Sequence, residues 1–158
     1  MGIAISLQHY LDGRDIAYDV TTHEPTLSAA ETARVSSISE DNLAKGVLMR
    51  CEDGYLLAIV PASYRVEVEA LSKCLKQSIV LASEVEASTI FGDCEIGCVP
   101  PVAAVYDLAA VMDDSLDASR DIYFEGGDHR TLVHLSNGDF QRLMDEIPHA
   151  RIGVRNRR

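Results

Sequence analysis

The sequence has no apolar run that approaches the roughly 20 residues needed to span a bilayer. Its N-terminus, MGIAISLQHYLDG, also lacks the basic region and apolar core of a secretory signal. Gly2 and Ser6 match the loose pattern for N-myristoylation, but nothing else in the sequence indicates a membrane. We therefore expect a cytoplasmic protein that has no membrane partner.

Familiar catalytic motifs are missing as well. There is no Gly-x-Ser-x-Gly nucleophile elbow, no P-loop and no dinucleotide fingerprint. An acidic run, formed by Asp113, Asp114, Asp117 and Asp121, lacks the spacing of a calcium loop, so we expect it to form a solvated face. The sequence thus shows no pairing of a nucleophile with a base.

Cysteines are few and lack the spacing of a metal site. The four are Cys51, Cys74, Cys94 and Cys98, and the last two are spaced C-x3-C with no second pair. A zinc site usually needs two such pairs or a Cys/His cluster. We therefore expect reduced, partly buried thiols, and neither a metal nor another cofactor.

Basic residues are scarce: 14 Lys and Arg stand against 25 Asp and Glu, which gives a net charge of −11. A stand-alone nucleic-acid binder usually has a basic face, because phosphate contacts supply much of its affinity. This chain offers only a basic tail, at about residues 151–158. If the substrate is RNA, the protein should hold a small part of it or be helped by a partner.

The pattern of apolar and turn residues predicts a single domain over residues 1–158, a length that suits one core. Strands are expected at Ile16–Thr22, Ala44–Cys51, Tyr55–Val60, Val102–Tyr106, Ile122–Glu125 and Thr131–Leu135. Helices are expected from Ile3 to Gly13, from Ser28 to about Arg34, over Val66–Leu75, from Ser83 to about Thr89 and from Asn137 to about Ile147. Short helices among strands indicate an α+β (mixed α/β) fold, in which helices pack around a mixed, mostly antiparallel sheet.

Lys45 is the first candidate functional residue. On its predicted strand it shares a face with Val47 and Met49, since residues two apart point the same way. Its stem could pack while the ammonium reaches solvent, or the cation could point into a pocket. The sequence leaves both orientations open.

Two glycine-containing segments provide the other candidates. Residues 97–101, Gly-Cys-Val-Pro-Pro, form either a stiff crossover or a ligand wall made of backbone groups. Residues 126–129, Gly-Gly-Asp-His, are typical of a hairpin turn, and His129 is a candidate proton carrier or hydrogen-bond donor. The remaining histidines, His9, His23, His134 and His149, have weaker claims.

Together these features resemble the YbaK family, which includes the editing insertion domain of bacterial prolyl-tRNA synthetase and its free-standing relatives. The similarity covers nearly the whole chain in order. It comprises His23 to Ala33, Leu43-Ala44-Lys45-Gly46, Ile96-Gly97-Cys98-Val99-Pro100-Pro101, Gly126-Gly127 before a strand, and Asn137-Gly138-Asp139-Phe140 at the last helix. The chain departs from the family at Gly46, where Thr or Asn is frequent, and at Val102-Ala103, where Leu or Phe followed by Gly is frequent.

The resemblance implies a trans-acting deacylase, a hydrolase that cleaves the ester of a mischarged tRNA, most often tRNA-Pro carrying a small amino acid. Such an ester is already activated, so its hydrolysis needs a positioned water and charge stabilisation more than a protein nucleophile. By analogy, Lys45 is the catalytic residue that stabilises developing negative charge. The substrate-binding residues implied for the aminoacylated 3′ end are Gly97, Pro100, Pro101, Gly126, Gly127 and His129. An aminoacyl-tRNA synthetase is a further implied partner.

Selectivity would depend on the size of the side-chain pocket. Ala29, Ala30 and Ala33 either line that pocket or pack against the sheet. Two other functions stay open at this point. One is a non-catalytic module that senses an amino acid or docks on a synthetase. The acidic composition favours this function, whereas a lysine at position 45 argues against it. The other is a hydrolase of a different small activated ester.

Overall fold

The computed structural model describes residues 2–144 and 147–157 of the chain. Its α-helices are α1 (Ile5–Gly13), α2 (Ala29–Val35), α3 (Val68–Leu75), α4 (Glu84–Ile90) and α5 (Asn137–Met144). Its strands are β1 (Asp19–Thr22), β2 (Ala44–Cys51), β3 (Gly54–Pro61), β4 (Tyr64–Val66), β5 (Val80–Leu81), β6 (Ala109–Asp113), β7 (Asp121–Glu125), β8 (Thr131–Ser136), β9 (His149–Ala150) and β10 (Gly153–Arg155). Short 3-10 helices lie at Glu40–Asn42, Ala103–Tyr106 and Asp114–Ala118.

Two open sheets organise these elements. The larger has the order β5-β2-β3-β6-β9, in which β2 is antiparallel to β3 and β5, while β6 runs parallel to β3 and β9. The smaller has the order β1-β8-β7 and is antiparallel. A separate antiparallel pair joins β10 to β4. Mixed, mostly antiparallel sheets with short helices around them confirm the predicted α+β fold.

Strand β2 separates two apolar cores, because its successive residues point to opposite faces of the sheet. Ala44 and Leu48 belong to the main core, to which both sheets, α1 and α5 contribute. Met49 belongs to the second core, which includes Leu71 of α3. The strand is therefore held from both sides, and any residue at its N-terminal end has a fixed position.

Gly46 lets the loop formed by residues 97–101 pack directly on β2. A Cβ atom at this position would lie 3.1 Å from Cδ1 of Leu57 and 3.2 Å from Cγ1 of Val99, closer than ordinary van der Waals contact. A side chain at position 46 would thus point at the core and at the loop. The departure from the family at Gly46 therefore affects how the loop 97–101 packs on β2.

Local signals predicted the starts of α2 and α4 and the β2–β3 hairpin, and the structure confirms them. The Ser28 hydroxyl accepts a hydrogen bond of 3.1 Å from the N–H of Glu31 at the start of α2. Ser83 and Glu86 form a complete capping box at the start of α4. The β2–β3 hairpin turns at Glu52 and Asp53, and β3 begins at Gly54, whose φ of +140° favours glycine.

Several boundaries differ from the prediction. β1 begins at Asp19 and α1 at Ile5, while α3 begins at Val68 because Val66 belongs to β4. The last helix is described as far as Met144, and its predicted continuation toward Ile147 crosses residues 145–146, which lie outside the described residues. Within the basic segment 151–158, residues 153–155 form β10.

The prediction of a strand over Val102–Tyr106 is wrong. Ala103–Tyr106 form a 3-10 helix, and the N–H of Val105 donates to the carbonyl of Val102 at 3.2 Å. A short apolar run has no periodicity that separates a strand from a helix. The strand of this region is the next apolar run, β6, which pairs with β3.

The prediction of a solvated acidic face is wrong at Asp113. This residue is 1% exposed. Its carboxylate accepts hydrogen bonds from the backbone N–H groups of Ile152, at 2.9 Å, and Gly153, at 2.8 Å. Hydrogen bonds of this kind make burial of a carboxylate tolerable, and here they fix the start of β10. The partners lie far away in sequence, so the acidic run alone could not indicate them.

Candidate functional site

A cavity of about 180 Å³ opens where the start of α2 and the start of β2 meet the loop 97–101 and the end of β7. Four separate segments of the chain thus supply its walls. The lining residues are Leu27, Ser28, Ala29, Thr32, Leu43, Ala44, Lys45, Gly46, Gly97, Cys98, Val99, Glu125 and His129.

Lys45 lines this cavity from β2, where it pairs with Val60 of β3. Burial lowers the pKa of its ammonium from the usual 10.5, and the negative charge of Glu40 offsets part of that effect. A partly desolvated cation attracts an anion more strongly than a cation in water does. Of the two orientations open from the sequence, the structure shows the one that reaches a pocket.

Gly97 and His129 lie next to each other on the cavity wall. Gly97 has a φ of +81° and His129 a φ of +59°, so both adopt the left-handed conformation. The Nε2 atom of His129 lies 2.7 Å from the carbonyl oxygen of Ile96, and it donates because a carbonyl only accepts. The backbone N–H of His129 also donates to Sγ of Cys98 at 3.3 Å. His129 therefore joins the turn 126–129 to the loop 97–101.

The cysteines near the cavity are held as thiols. Burial raises the pKa of Cys98 to about 12, although the N–H of His129 lowers it in part. Burial likewise raises the pKa of Cys94 to about 11. A thiol with so high a pKa is a poor nucleophile near neutral pH, since the thiolate is the reactive form. Cys98 thus forms part of the cavity wall and does not act as a nucleophile.

Glu125 brings a carboxylate to the cavity, backed by the imidazole of His23. The side chain of Glu125 is 14% exposed and that of His23 is 4% exposed. The Nε2 atom of His23 lies 3.4 Å from Oε1 of Glu125, without the geometry of a hydrogen bond. Sequence reasoning gave His23 a weak claim and overlooked Glu125, whose only local signal is an acidic residue at the end of a strand before two glycines.

The remaining predicted site residues lie behind the cavity walls. Pro100, Pro101, Gly126 and Gly127 are buried and are not among its described lining residues. A Cβ atom on Gly126 would lie 2.5 Å from Cγ2 of Ile3, so the segment just before α1 packs directly on this turn. The structure thus places Lys45, Gly97 and His129 on one cavity, with the two prolines and two glycines behind it.

The three alanines of α2 have different positions. Ala29 lines the cavity. Ala30 is exposed, while Ala33 is buried in a small core with Leu43. Only the first of them has access to a ligand in the cavity.

The sequence model of the aminoacyl-tRNA editing domain matches residues 23–143, a span that contains the whole cavity. The chain belongs to this family. The resemblance to the YbaK family is thereby confirmed, and every described residue that lines the cavity lies within the matched span. Among proteins with curated functions, none matches this sequence.

Solved structures share the fold of this editing domain. One, described as a candidate trans-editing enzyme for prolyl tRNA synthetase, is 22% identical, with a TM-score of 0.82 and 96% of each chain covered. The hypothetical protein APE2540 is 20% identical, with a TM-score of 0.84 over 94% of this chain and 99% of its own. A candidate signal-transduction protein from Marinobacter aquaeolei VT8 is 18% identical, with a TM-score of 0.76 over 95% of this chain but 30% of its own.

Two further properties bear on the site. No helix among the described residues is long and apolar enough to cross a membrane. In the same part of the chain, no group of three or more His, Cys, Asp or Glu side chains is arranged to hold a metal ion.

Proposed function

We propose that this protein is a trans-acting aminoacyl-tRNA deacylase, which hydrolyses the ester of a mischarged tRNA. The observation that carries the proposal is the cavity that joins Lys45, Gly97 and His129 within the span matched by the editing-domain family. The proposed substrate is tRNA-Pro carrying a small amino acid. Its support is the structural relative described as a candidate trans-editing enzyme for prolyl tRNA synthetase.

The proposed reaction uses charge stabilisation instead of a protein nucleophile. A water held in the cavity attacks the ester carbonyl, and negative charge develops on the carbonyl oxygen. The acyl C–O bond to the ribose then breaks, so that the amino acid leaves with the water oxygen and the ribose oxygen takes up a proton from that water. The ammonium of Lys45, partly removed from water, stabilises that charge as it forms. Cys98 takes no part as a nucleophile, because its thiol stays protonated.

The size of the cavity indicates which part of the substrate enters it. Its volume of about 180 Å³ lies below the roughly 300–1,000 Å³ of pockets for drug-sized ligands. We therefore place the aminoacyl group inside and the remainder of the 3′ end at the mouth. Gly97 and His129 contact the substrate, while Pro100, Pro101, Gly126 and Gly127 contribute by holding the walls.

The test is deacylation of tRNA-Pro charged with alanine, cysteine, serine or threonine. We expect the wild type to hydrolyse at least one of these esters, and Lys45→Ala to lose that activity while keeping the wild-type circular dichroism spectrum. The ester that the wild type hydrolyses identifies the amino acid that the protein removes. If the folded wild type hydrolyses none of them, the proposed substrate class is wrong.

A second candidate function is a non-catalytic module that docks on a synthetase. The observation that favours it is the net charge of −11, because an acidic chain binds free tRNA poorly. Under this alternative the wild type hydrolyses no ester, and Lys45→Ala binds the synthetase as well as the wild type does. The same two proteins therefore distinguish the two functions.

A further inference from the structure

Glu125 carries the one carboxylate among the described residues that line the cavity. Its side chain is 14% exposed, and its Oε1 atom is buried without a hydrogen-bond partner in the described structure. Its Oε2 atom lies 3.9 Å from Sγ of Cys98, which is itself on the cavity wall. A thiol is a weak donor, so this contact compensates little of the cost of burying a negative charge.

The imidazole of His23 lies next to this carboxylate. Its Nδ1 atom lies 2.7 Å from the carbonyl oxygen of Glu24 and donates to it, which fixes the ring and directs Nε2 toward Glu125. The side chain of His23 is 4% exposed, so the ring is buried where it meets the carboxylate. The Nε2 atom makes no hydrogen bond in the described structure and lies 3.4 Å from Oε1. Glu125 is thus kept at the cavity with its hydrogen-bonding capacity largely unused.

The cavity also carries a positive charge, Lys45, which reaches it from β2, whereas Glu125 reaches it from the end of β7. An aminoacyl ester has matching features: a positively charged α-ammonium on one side and an ester oxygen that becomes negative on the other. The lysine suits the oxygen. The carboxylate suits the ammonium, because a charge-assisted hydrogen bond would compensate the burial of its negative charge better than the weak thiol donor of Cys98 does.

We propose that Glu125 binds the α-ammonium group of the aminoacyl moiety, positioned for this by His23. The inference rests on the proposed function, since it assigns part of the same substrate to a residue of the same cavity. It specifies the substrate class: aminoacyl esters with a free α-amine are accepted, and acyl groups that lack the positive charge, including N-acylated peptidyl esters, bind poorly.

The test measures binding without hydrolysis, using 3′-amino-3′-deoxyadenosine acylated with alanine and the same compound acylated with lactate. The amide is stable, and the two probes differ only in an ammonium or a hydroxyl group of similar size. We expect wild type to bind the alanyl probe at least about tenfold more tightly in calorimetry, the scale of one charge-assisted hydrogen bond. We expect Glu125→Gln to bind both probes about equally, and Glu69→Gln, altered at an exposed residue of α3, to behave as wild type.

Three results would overturn the proposal. These are equal binding of the two probes by wild type, a preference that persists in Glu125→Gln, or no binding of either probe by folded wild type. The first and third need no variant, so poor folding of Glu125→Gln cannot obscure them. If Glu125→Gln keeps the preference but loses hydrolysis, the carboxylate acts on water instead. If the preference is present but wild type hydrolyses no ester, only the proposed deacylase function fails.

Discussion

Lys45 is held in surroundings less polar than those of a surface lysine, because its side chain is half-buried at the start of β2. Burial lowers the pKa of its ammonium from 10.5, and the opposing effect of Glu40 is smaller. A lysine whose folded pKa lies below its unfolded pKa opposes folding while both states are charged. That penalty is full below the folded pKa and is lost as the pH rises from there to 10.5.

Replacement of this lysine by an apolar residue of similar length should therefore stabilise the fold and remove activity. We expect Lys45→Met to melt at a higher temperature than wild type at pH 7, with the difference shrinking as the pH approaches 10.5. The measurement is thermal unfolding of both proteins at several pH values, together with deacylation at neutral pH.

Lys73→Met is the matched control, since Lys73 is exposed on α3 and is not among the described residues of the cavity. It should change neither the pH dependence of the melting temperature nor the activity. A lower melting temperature for Lys45→Met at pH 7 would show that the ammonium has a stabilising partner and that desolvation does not dominate.

At the scale of elements, two short helices begin with similar serine caps but have different relations to the cavity. Ser28 caps α2 and lines the cavity, whereas Ser83 caps α4, and none of the described cavity residues belongs to α4. In both, the serine hydroxyl accepts a hydrogen bond of 3.1 Å from a backbone N–H. A comparison of the two serines therefore distinguishes the effect of a cap on helix stability from the effect of the helix on the site.

We expect Ser28→Ala and Ser83→Ala each to lower the free energy of unfolding by about 0.5–2 kcal/mol, the usual cost of a lost N-cap. Only Ser28→Ala should raise KM for the aminoacyl-tRNA, because only α2 forms a cavity wall. Chemical denaturation and steady-state kinetics of the two variants test this. Equal changes in KM would mean that general destabilisation, not the wall, determines substrate binding.

These same elements show how far sequence reasoning reaches. The Ser28 and Ser83 caps and the turn before Gly54 depend on neighbours within a few residues, so local patterns predicted them correctly. The strand expected at Val102–Tyr106 failed, because a short apolar run fits a strand and a turn of helix equally well.

The candidate site divides in the same way. Family resemblance indicated Lys45, Gly97 and His129, and the fold brings these three to one cavity. The pairing of Glu125 with His23 gave no signal, since it depends on β7 and the segment after β1 coming together across the chain. Contacts between distant segments are a property of the packed fold and have no local pattern.

At the scale of the whole molecule, the net charge of −11 determines how tRNA can be bound. Counterion release from phosphates, which supplies most non-specific affinity, needs many Lys and Arg contacts. Even within the basic segment at the C-terminus, Arg155 is engaged with Asp41 at 3.0 Å. Recognition should therefore rely on the aminoacylated 3′ end and the cavity.

We expect uncharged tRNA to bind with a Kd weaker than about 1 µM at physiological salt, in the range of non-specific binding. The measurement is filter binding or fluorescence anisotropy over a range of salt concentrations. A tighter Kd with a steep salt dependence would reveal a basic surface that the overall charge conceals. A Kd that tightens only when a synthetase is added would indicate the partner that supplies the missing contacts.

The most direct test of the central claim is the single-turnover rate of deacylation of mischarged tRNA-Pro at saturating protein. Saturation removes differences in affinity, so the rate reports the stabilisation of charge in the cavity. We expect Lys45→Ala to be about 10²–10³-fold slower than wild type, the usual loss when one stabilising donor is removed, and Lys73→Ala to be unchanged. Equal rates for Lys45→Ala and wild type would contradict the claim that this cavity hydrolyses the ester.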